Sequence, residues 1–259
     1  MTVEFFKYQG AGNDFVIIDN RNGFFPKENV ELIKKICDRR FGIGADGLML
    51  LEEAEGFDFR MVYFNADGLP GSMCGNGGRC LVSFAHSLDL FDRETSFQAN
   101  RERYTAQMRN KTVSLHMLDV EELKASDGHV FLDTGSPHHV QFEENLKNFD
   151  VFTRGKKIRY GAPYNEEGTN VNFVEQIDDA TFKVRTYERG VEDETLSCGT
   201  GVTAVALASH YLGKTRSEKV KIQTEGGDLE VEFIAENGKF SKIILTGPTT
   251  FVYKGLVEI

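Results

Sequence analysis

The feature that most constrains the fold is an internal repeat of one unusual motif. Residues 60–86 align with residues 183–210, and each segment contains a β-rich stretch, a polar turn, the motif Cys-Gly-x-Gly and a run of small and apolar residues. The motif cysteines, Cys74 and Cys198, are 124 positions apart in a chain of 259 residues, and a histidine follows twelve positions after each. A period close to half the chain predicts two similar halves and not a solenoid of short repeats.

Strand patterns dominate the sequence. Apolar residues alternate or run continuously in segments that predict strands at Val3–Tyr8, Phe15–Asp19, Gly47–Glu52, Phe57–Phe64, Thr112–Leu118, Val130–Thr134, Asn172–Gln176, Phe182–Tyr187, Val220–Gln223, Leu229–Ile234, Lys239–Leu245 and Thr250–Lys254. Helix signals occur in Glu28–Asp38, after Cys74, in Leu146–Phe152 and after Cys198. Because many strands follow one another without a helix between them, the pattern predicts an α+β protein.

The two segments that follow the motif cysteines lack a charged face beyond the first turn. They are rich in small residues, such as Gly78 and Ala85 in the first and Ala204 and Ala208 in the second. A helix without a polar face must be buried on all sides, and small side chains let strands approach it closely. Each half is therefore predicted to be a sheet that curls around one central helix.

Charge and cysteine content exclude several classes of function. The chain has 30 basic and 40 acidic residues, a net charge of −10, which disfavours nucleic acid and anionic membrane surfaces as partners. The N-terminal residues lack a targeting pattern, so we expect a cytoplasmic protein whose cysteines are thiols. No Cys-x-x-Cys pair predicts a metal site, and Cys37 and Cys80 are expected to be buried apolar side chains.

The repeated motif suggests a specific chemistry. Glycines at a strand-to-helix junction leave the first backbone N–H groups unshielded at the positive end of the helix dipole, where a carboxylate can bind. The same field stabilises a cysteine thiolate. Two such cysteines indicate a base and an acid for the two faces of one carbon, which is the arrangement that inverts a stereocentre. The N–H groups would stabilise the charge that develops when an amino acid loses its α-proton, so neither a pyridoxal cofactor nor a metal is required.

Two other glycine clusters have a structural interpretation. Gly42-Ile-Gly44-Ala-Asp-Gly47 fits a dinucleotide-binding pattern, but it follows a predicted helix and precedes a predicted strand, the reverse of the required order. We interpret it as a tight helix-to-strand turn. Gly10-Ala-Gly12-Asn13-Asp14 is interpreted as a hairpin turn that could present Asn13 to a ligand.

The motifs together resemble those of the diaminopimelate epimerase family. The resemblance runs from Lys7 to about Gly255 and rests on Gly-Ala-Gly-Asn13-Asp-Phe, Phe-Asn65-Ala-Asp-Gly, Met-Cys74-Gly-Asn76-Gly-Gly-Arg-Cys, Tyr-Glu188-Arg189-Gly and Leu-Ser-Cys198-Gly-Thr200-Gly. It implies cofactor-independent epimerisation of LL-diaminopimelate to meso-diaminopimelate, in lysine and cell-wall precursor synthesis. It also implies an α+β fold of two pseudo-symmetric domains, each a curled, mostly antiparallel sheet around a central helix. The expected halves are residues 1–116, with 249–259 returning to them, and residues 117–248.

The resemblance also implies roles for individual residues. Cys198 takes the proton and Cys74 returns it in the LL-to-meso direction, while His138 and Glu188 tune the thiols. The implied substrate-binding residues are Asn13, Asn65, Gly75, Asn76, Asn170, Glu188, Arg189, Gly199 and Thr200. Gly75, Asn76, Gly199 and Thr200 hold the reacting carboxylate through backbone N–H groups, and Asn65, Asn170, Glu188 and Arg189 bind the distal amino acid group. A bidentate cation such as Arg189 suits the far carboxylate. No role is expected for His139.

Three positions depart from the family pattern. Ser136 stands where the family often has Asn, so one hydrogen bond to substrate is expected to be lost or bridged by water. Gly47 stands where some members have Gln, so it contributes no side-chain contact. Asn65 precedes Cys74 by nine residues whereas Glu188 precedes Cys198 by ten, so the Val191–Glu194 loop is one residue longer. We expect the extra residue to alter the loop geometry or the reactivity of Cys198.

Two alternative functions remain open on the sequence. A proline or hydroxyproline racemase would share the fold and the cysteine pair, but its substrate has no distal amino acid group for Arg189 to bind. A non-catalytic amino acid binding protein would not need two thiols. A third possibility, a redox sensor with a cysteine pair, is interpreted as an inactivation hazard. The expected partner is a small molecule, with a homodimer as a possible assembly.

Overall fold

The computed structural model describes residues 1–71, 73–126 and 128–259. The chain divides into two compact units: Met1–Leu115 together with Gly247–Ile259, and His116–Thr246. Helices and strands are mixed along the chain, which confirms the α+β prediction. Among the described residues, no helix combines the length and the apolar character needed to cross a membrane.

The first unit begins with a hairpin and contains two helices. Its elements are β1 (Thr2–Gly10), β2 (Asn13–Asp19), α1 (Val30–Cys37), β3 (Gly47–Glu52), β4 (Phe59–Asn65), α2 (Gly75–Ser87), β5 (Glu94–Ala99), β6 (Glu102–Arg109) and β7 (Thr112–His116). The pairing is antiparallel for β1–β2, parallel for β2–β3, antiparallel for β3–β4, parallel for β4–β5, and antiparallel for β5–β6 and β6–β7. The last strand of the chain pairs antiparallel with β1.

The second unit has the same order of pairings. Its elements are β8 (Leu123–Ser126), β9 (His129–Asp133), β10 (Pro137–Phe142), α3 (Val151–Tyr160), β11 (Asn170–Gln176), β12 (Thr181–Glu188), β13 (Asp193–Thr195), α4 (Gly199–Tyr211), β14 (Lys219–Thr224), β15 (Gly227–Glu236) and β16 (Lys239–Pro248). The last strand of the chain, β17 (Thr250–Glu258), belongs to the first unit. The pairing is antiparallel for β9–β10, parallel for β10–β11, antiparallel for β11–β12, parallel for β12–β14, and antiparallel for β14–β15 and β15–β16. The internal repeat of the sequence is therefore present in the strand topology.

Each unit has one central helix. Helix α2 packs against β1, β2, β3, β4 and β6, and α4 packs against β9, β10, β11, β12, β14 and β15. Both helices have 13 residues, and in α4 every residue from Gly199 to Ser209 is buried. Strands can surround these helices because small residues line them, which confirms the predicted curled sheet around each.

The other two helices cover the outer faces of the sheets. On α1, Ile33 and Ile36 join a buried cluster with Leu48 and Leu50 of β3, while the neighbouring residues of β3 are buried on its opposite face. Similarly, α3 lies over an apolar cluster in the second unit that includes Phe173 and Tyr187. The strands between two helices are thus buried on both faces, which explains their continuous apolar runs.

The structure differs from the sequence prediction at one helix. The prediction of a helix over Leu146–Phe152 was wrong. A 3₁₀ turn spans Leu146–Asn148, Phe149 is extended, and α3 starts after Asp150. The Asp150 side chain accepts the Thr153 backbone N–H at 3.0 Å, so it is the N-cap that starts the helix one turn later. Gly155 obscures the helical pattern, and it is needed there because an added Cβ would lie 2.3 Å from Cβ of Tyr187.

Five strands were not predicted: β5, β6, β8, β10 and β13. Their inward positions are held by weakly apolar residues, for example Thr95 and Ala99 on β5, or their first residues are polar, as in β10. They pair because neighbouring strands offer unpaired backbone groups, and their own apolar pattern is too weak to predict them.

Candidate active site

Cys74 is the N-cap residue of α2, at the junction where the motif places it. Its backbone is extended, with φ −102° and ψ 115°, and its Sγ accepts the Gly77 backbone N–H at 3.3 Å. Gly75 is the first helical residue, and its carbonyl accepts a hydrogen bond from Nη1 of Arg79 at 3.3 Å. The thiol therefore lies at the positive end of the α2 dipole.

Asn13 presents its carbonyl oxygen to the Cys74 thiol. Oδ1 of Asn13 lies 3.6 Å from Sγ of Cys74, and Nδ2 donates to Oδ2 of Asp46 at 2.7 Å. A carboxylate accepts hydrogen bonds only, so Asp46 determines that the amide nitrogen faces away from the thiol. The hairpin between β1 and β2 brings Asn13 here, as its turn composition predicted.

A charged network that sequence reasoning missed holds Asp46 in place. Arg39 pairs with both Asp46 and Asp14, at 2.7 Å and 2.6 Å, and Lys7 pairs with Asp14 at 2.6 Å. Burial opposes ionisation of Asp14, but hydrogen bonds from Arg39 and Lys7 outweigh it and lower its pKa to about 2. The available signal was Lys7, a charged residue at an inward position of an apolar strand.

Asn76 and Arg79 form a second group of hydrogen-bonded side chains near Cys74, and both are buried. Asn76 Oδ1 accepts from Arg79 Nη2 at 2.8 Å, so its Nδ2 faces Asn13 Oδ1 at 3.4 Å. Arg79 is fully buried, and among the described residues its Nε has no hydrogen-bond partner and no carboxylate pairs with its guanidinium. Burial lowers the pKa of Arg79 to about 10, which leaves it charged at neutral pH. This cation lies beside Cys74 and favours an anion at the N-terminus of α2.

Cys198 is the N-cap residue of α4 and is buried. Its Sγ lies 3.5 Å from Oγ1 of Thr200, which in turn lies 2.9 Å from Nε2 of His138. The carbonyls of Thr200 and Gly199 accept hydrogen bonds from the hydroxyls of Thr134 and Thr203. His138 thus reaches the second thiol through a threonine side chain, a link that the motif spacing did not indicate.

His138 is neutral in this environment. The ring is fully buried, and burial, together with the charge of Arg189, lowers its pKa to about 3. Its Nδ1 lies 3.1 Å from Nδ2 of Asn172, which is also fully buried. Sequence reasoning missed Asn172, although its position two residues after Asn170 on a strand puts both on one face of the sheet.

Asn170 links two loops of the second unit. Its Nδ2 donates to Ser136 Oγ and to the Pro137 carbonyl, both at 2.9 Å, and its Oδ1 accepts the Arg189 backbone N–H at 2.9 Å. Ser136 therefore contributes a hydrogen bond that orients Asn170. Oε2 of Glu188 accepts from the Thr195 hydroxyl at 2.8 Å. A direct contact of any of these residues with substrate stays a prediction.

The Arg189 side chain borders a cavity of about 420 Å³. Its Nη1 donates to the Glu167 carbonyl at 3.1 Å, and Lys124, His129 and Tyr164 line the same cavity. Lys124 and Arg189 are positive and Glu167 is negative, so the lining of the cavity has a surplus of positive charge that suits an anionic group.

The extra residue before Cys198 lies in the turn between β12 and β13. Glu188 pairs with Asp193, whereas in the first unit the Asn65 backbone N–H bonds to the carbonyl of Leu69, one residue nearer. Glu192 takes a positive φ of 60° there, and its carboxylate accepts from Nε of Arg159 at 3.1 Å. The two loops of this chain therefore differ in geometry, while a departure from the usual loop of the family and an effect on the reactivity of Cys198 stay predictions.

Gly47 and Gly71 make room for one aromatic ring. An added Cβ at Gly47 would lie 2.5 Å from Cε2 of Tyr63, and one at Gly71 would lie 2.4 Å from Cδ1 of the same ring. The Tyr63 ring thus fills the space where a longer side chain at position 47 would lie. Asn65 ends β4 two residues further on, with its Oδ1 close to Gly71.

Solved structures share this fold at low sequence identity. A phenazine biosynthesis protein of the PhzF family from Bacillus anthracis matches with a TM-score of 0.80 and 15% identity over 100% of both chains. A hydroxyproline epimerase from Agrobacterium vitis matches with a TM-score of 0.73 and 13% identity, covering 99% of this chain and 92% of that one. At these identities the likeness concerns the fold alone.

Sequence comparisons are more specific. The family model described as diaminopimelate epimerase matches residues 5–121 and 130–252. A diaminopimelate epimerase from Flavobacterium psychrophilum is 55% identical over 253 residues, which covers 97% of this chain and 99% of the relative. One from Chlorobaculum tepidum is 45% identical over 259 residues, with 96% and 99% covered. This chain belongs to the diaminopimelate epimerase family.

Proposed function

We propose that this protein epimerises LL-diaminopimelate to meso-diaminopimelate with Cys74 and Cys198 as the acid and base, without an organic cofactor or a metal. The observation that carries the proposal is the N-cap cysteine at each of two buried helices, followed each time by Gly-x-Gly. Membership of the diaminopimelate epimerase family supports the choice of substrate.

The proposed reaction consists of two proton transfers. The Cys198 thiolate takes the α-proton, and the electron pair of the broken C–H bond spreads onto the adjacent carboxylate. The Cys74 thiol then gives its proton to the opposite face of the carbon, which forms the new C–H bond and inverts the centre. Cys74 ends as the thiolate and Cys198 as the thiol, so the reverse reaction starts from that state.

The charge that develops on the carboxylate needs positive partners. Backbone N–H groups of Gly75, Asn76, Gly199 and Thr200 are proposed to hold it, because each pair opens a helix. The buried Arg79 cation supports binding at the α2 end. Arg189, with Asn65, Asn170 and Glu188, is proposed to bind the distal amino acid group.

The proposed reaction also implies where its product is used and which class of partner the protein binds. The product would supply lysine and cell-wall precursor synthesis, and the net charge of −10 supports a small-molecule partner in preference to nucleic acid or a membrane surface. A cytoplasmic location and a homodimer stay predictions.

The test is to incubate the reduced protein with LL-diaminopimelate in D₂O without an added cofactor. We expect meso product with deuterium at one α-carbon, detected by NMR and chiral separation. Cys74→Ser and Cys198→Ser should each lower turnover by roughly 10²–10⁴-fold, because a hydroxyl is a far weaker acid than a thiol. Cys37→Ser is a matched control, since Cys37 lies in α1, apart from both motifs.

Other outcomes would identify a different function. Deuterium exchange into proline or hydroxyproline and not into diaminopimelate would indicate a racemase of the same fold. Binding of diaminopimelate without any exchange would indicate a binding protein. Normal turnover in either cysteine variant would overturn the two-base mechanism.

A further inference from the structure

Four buried side chains form a continuous row that ends at Cys198. Nδ2 of Asn172 lies 3.1 Å from Nδ1 of His138, Nε2 of His138 lies 2.9 Å from Oγ1 of Thr200, and Oγ1 of Thr200 lies 3.5 Å from Sγ of Cys198. Asn172 and His138 are fully buried, so this end of the row is shielded from water. Each group in such a row constrains the hydrogen of the next.

The orientation of the Asn172 amide is determined by a backbone carbonyl. Nδ2 also lies 3.0 Å from the carbonyl oxygen of His139, and Oδ1 accepts the Thr186 hydroxyl at 3.0 Å. A carbonyl cannot donate a hydrogen bond, so the NH₂ group must face His139. The reversed amide would place two oxygens at that distance without a hydrogen between them.

This orientation determines which ring nitrogen of His138 carries the proton. Nδ1 faces a donor and must accept, so in the neutral ring the proton is on Nε2. Nε2–H then donates to Oγ1 of Thr200. The single hydrogen of the Thr200 hydroxyl is left to donate to Sγ of Cys198.

We infer that Asn172 is a positioning residue that holds the His138 proton on Nε2 and thereby directs the Thr200 hydroxyl hydrogen to Cys198. The row presents a hydrogen-bond donor to the sulfur and stabilises its thiolate, the form that accepts a proton from substrate. The inference deepens the proposed function, because it assigns the residues that prepare the proposed base.

The groups around His138 favour one protonation state. The partners of both ring nitrogens are neutral, and the charged group that acts on the ring is Arg189, which, after burial, lowers the pKa of His138 to about 3. The ring therefore stays neutral across the physiological range, and the direction of the row does not reverse in mild acid.

One side-chain contact of Cys74 has the opposite polarity to the contact of Cys198 with Thr200. The side-chain atom facing its sulfur is the acceptor Oδ1 of Asn13, which is oriented by Asp46. This acceptor favours the Cys74 thiol, while the Gly77 backbone N–H and the Arg79 cation favour the thiolate at the same sulfur.

The first test uses the unmodified protein. In a long-range ¹H–¹⁵N spectrum of histidine-labelled protein, we expect His138 to be protonated on Nε2 and unprotonated on Nδ1 between pH 6 and 8. Assignment would use the His138→Gln variant, whose spectrum lacks that signal. A proton on Nδ1 of His138 would overturn the inference.

The second test measures how Cys198 alkylation by iodoacetamide depends on pH, in a Cys74→Ser background and with the modified peptide identified by mass spectrometry. Thr200→Val removes the donor, so the midpoint should rise by about 1 pH unit, a tenfold change, as expected for one hydrogen bond to a charged group. Thr200→Ser restores the hydroxyl and should keep the original midpoint. Burial raises the pKa of the Cys37 thiol to about 12 and also raises that of Cys80, so neither competes near neutral pH.

Asn172→Asp tests the positioning role itself. An aspartate accepts a hydrogen from Nδ1, so the ring proton moves there and the midpoint for Cys198 should rise. Its negative charge would also raise the alkylation midpoint of Cys198 directly. This direct effect remains in a Thr200→Val background, whereas an effect that acts through the Thr200 hydroxyl disappears there. In that background we expect only the direct effect of the charge to remain, so Asn172→Asp should raise the midpoint by less than it does when Thr200 is present; full additivity would overturn the inference.

These outcomes are separate from those of the proposed function. The alkylation and NMR measurements use no diaminopimelate, so they can fail while epimerisation is observed. Conversely, a protein that turns over a different amino acid could still show the expected ring proton and alkylation midpoints.

Discussion

At the scale of single residues, the orientation of two asparagine amides, Asn13 and Asn172, determines which polar side-chain atoms face the two candidate thiols. Asn13 turns its oxygen to Cys74 because Asp46 takes its NH₂ group, and Asn172 turns its NH₂ group to His138 because the His139 carbonyl requires a donor. An amide can present either end, so its chemical effect depends on the third group that orients it.

Arg189 provides a residue-scale prediction about substrate affinity. Arg189→Lys replaces a planar, bidentate donor with a point charge, so KM for diaminopimelate should rise by about tenfold, the equivalent of about 1.4 kcal/mol. The value of kcat should change less, because the distal group takes no part in proton transfer. Steady-state kinetics would check this, with the exposed Arg216→Lys as control. An unchanged KM would mean that the distal carboxylate binds elsewhere.

At the scale of elements, the two central helices have the same length but differ in how closely other side chains approach their third residue, Gly77 in α2 and Gly201 in α4. An added Cβ at Gly201 would lie 2.5 Å from Oδ1 of Asn172, a side chain held by three hydrogen bonds. At the equivalent Gly77, it would lie 3.2 Å from Sδ of Met49, which is the end of a flexible side chain. The same motif position is therefore next to a fixed side chain in one helix and next to a side chain that can move in the other.

This contrast predicts unequal costs for the same substitution. Gly201→Ala should lower the free energy of unfolding by about 1–3 kcal/mol through overpacking against Asn172. Gly77→Ala should cost less than about 1 kcal/mol, since Met49 can move and alanine favours a helix. Chemical unfolding of both variants beside the unmodified protein would measure the difference. Equal destabilisation would show that Asn172 is free to move away from Gly201.

At the scale of the whole molecule, one topology carries two different sets of polar residues. Both units share the order of strand pairing and a 13-residue central helix. The first unit surrounds its cysteine with charged residues, including Arg79 and Asp46, and the second uses neutral ones, including His138 and Asn172. The fold therefore repeats while the chemistry offered to each thiol does not.

Buried histidines predict how stability depends on pH. Burial lowers the pKa of His138 to about 3 and, with the charge of His129, that of His139 to about 4, below an unfolded value of 6.5. The unfolded chain therefore takes up protons first. The free energy of unfolding is therefore unaffected by the two histidines above pH 6.5. It decreases as the pH falls towards 4, by up to about 1.4 kcal/mol per histidine and pH unit.

Urea unfolding at pH 7.5 and 5.5 would measure this dependence. His139→Gln should remove about half of the decrease, because glutamine does not titrate and only His138 would remain. The variant changes no residue proposed to act on substrate. A decrease as large as in the unmodified protein would assign the effect to other groups.

The sequence by itself determined the repeat, the α+β class, the burial of both central helices and the positions of Cys74 and Cys198 at helix starts. These properties follow from the order of neighbouring residues: glycine at a junction, and apolar or small residues without a charged face. Membership of the family could be expected for the same reason, since its motifs are local and specific.

Only the tertiary structure decided which groups surround each thiol. Asp46 reaches Asn13 from 33 residues away, and Asn172 reaches His138 from 34 residues away. Helix α3 was predicted one turn too early because its N-cap and the contact of Gly155 with Tyr187 outweigh a weak local pattern. Hydrogen-bond direction depends on partners that folding brings together, and no local pattern of residues specifies those partners.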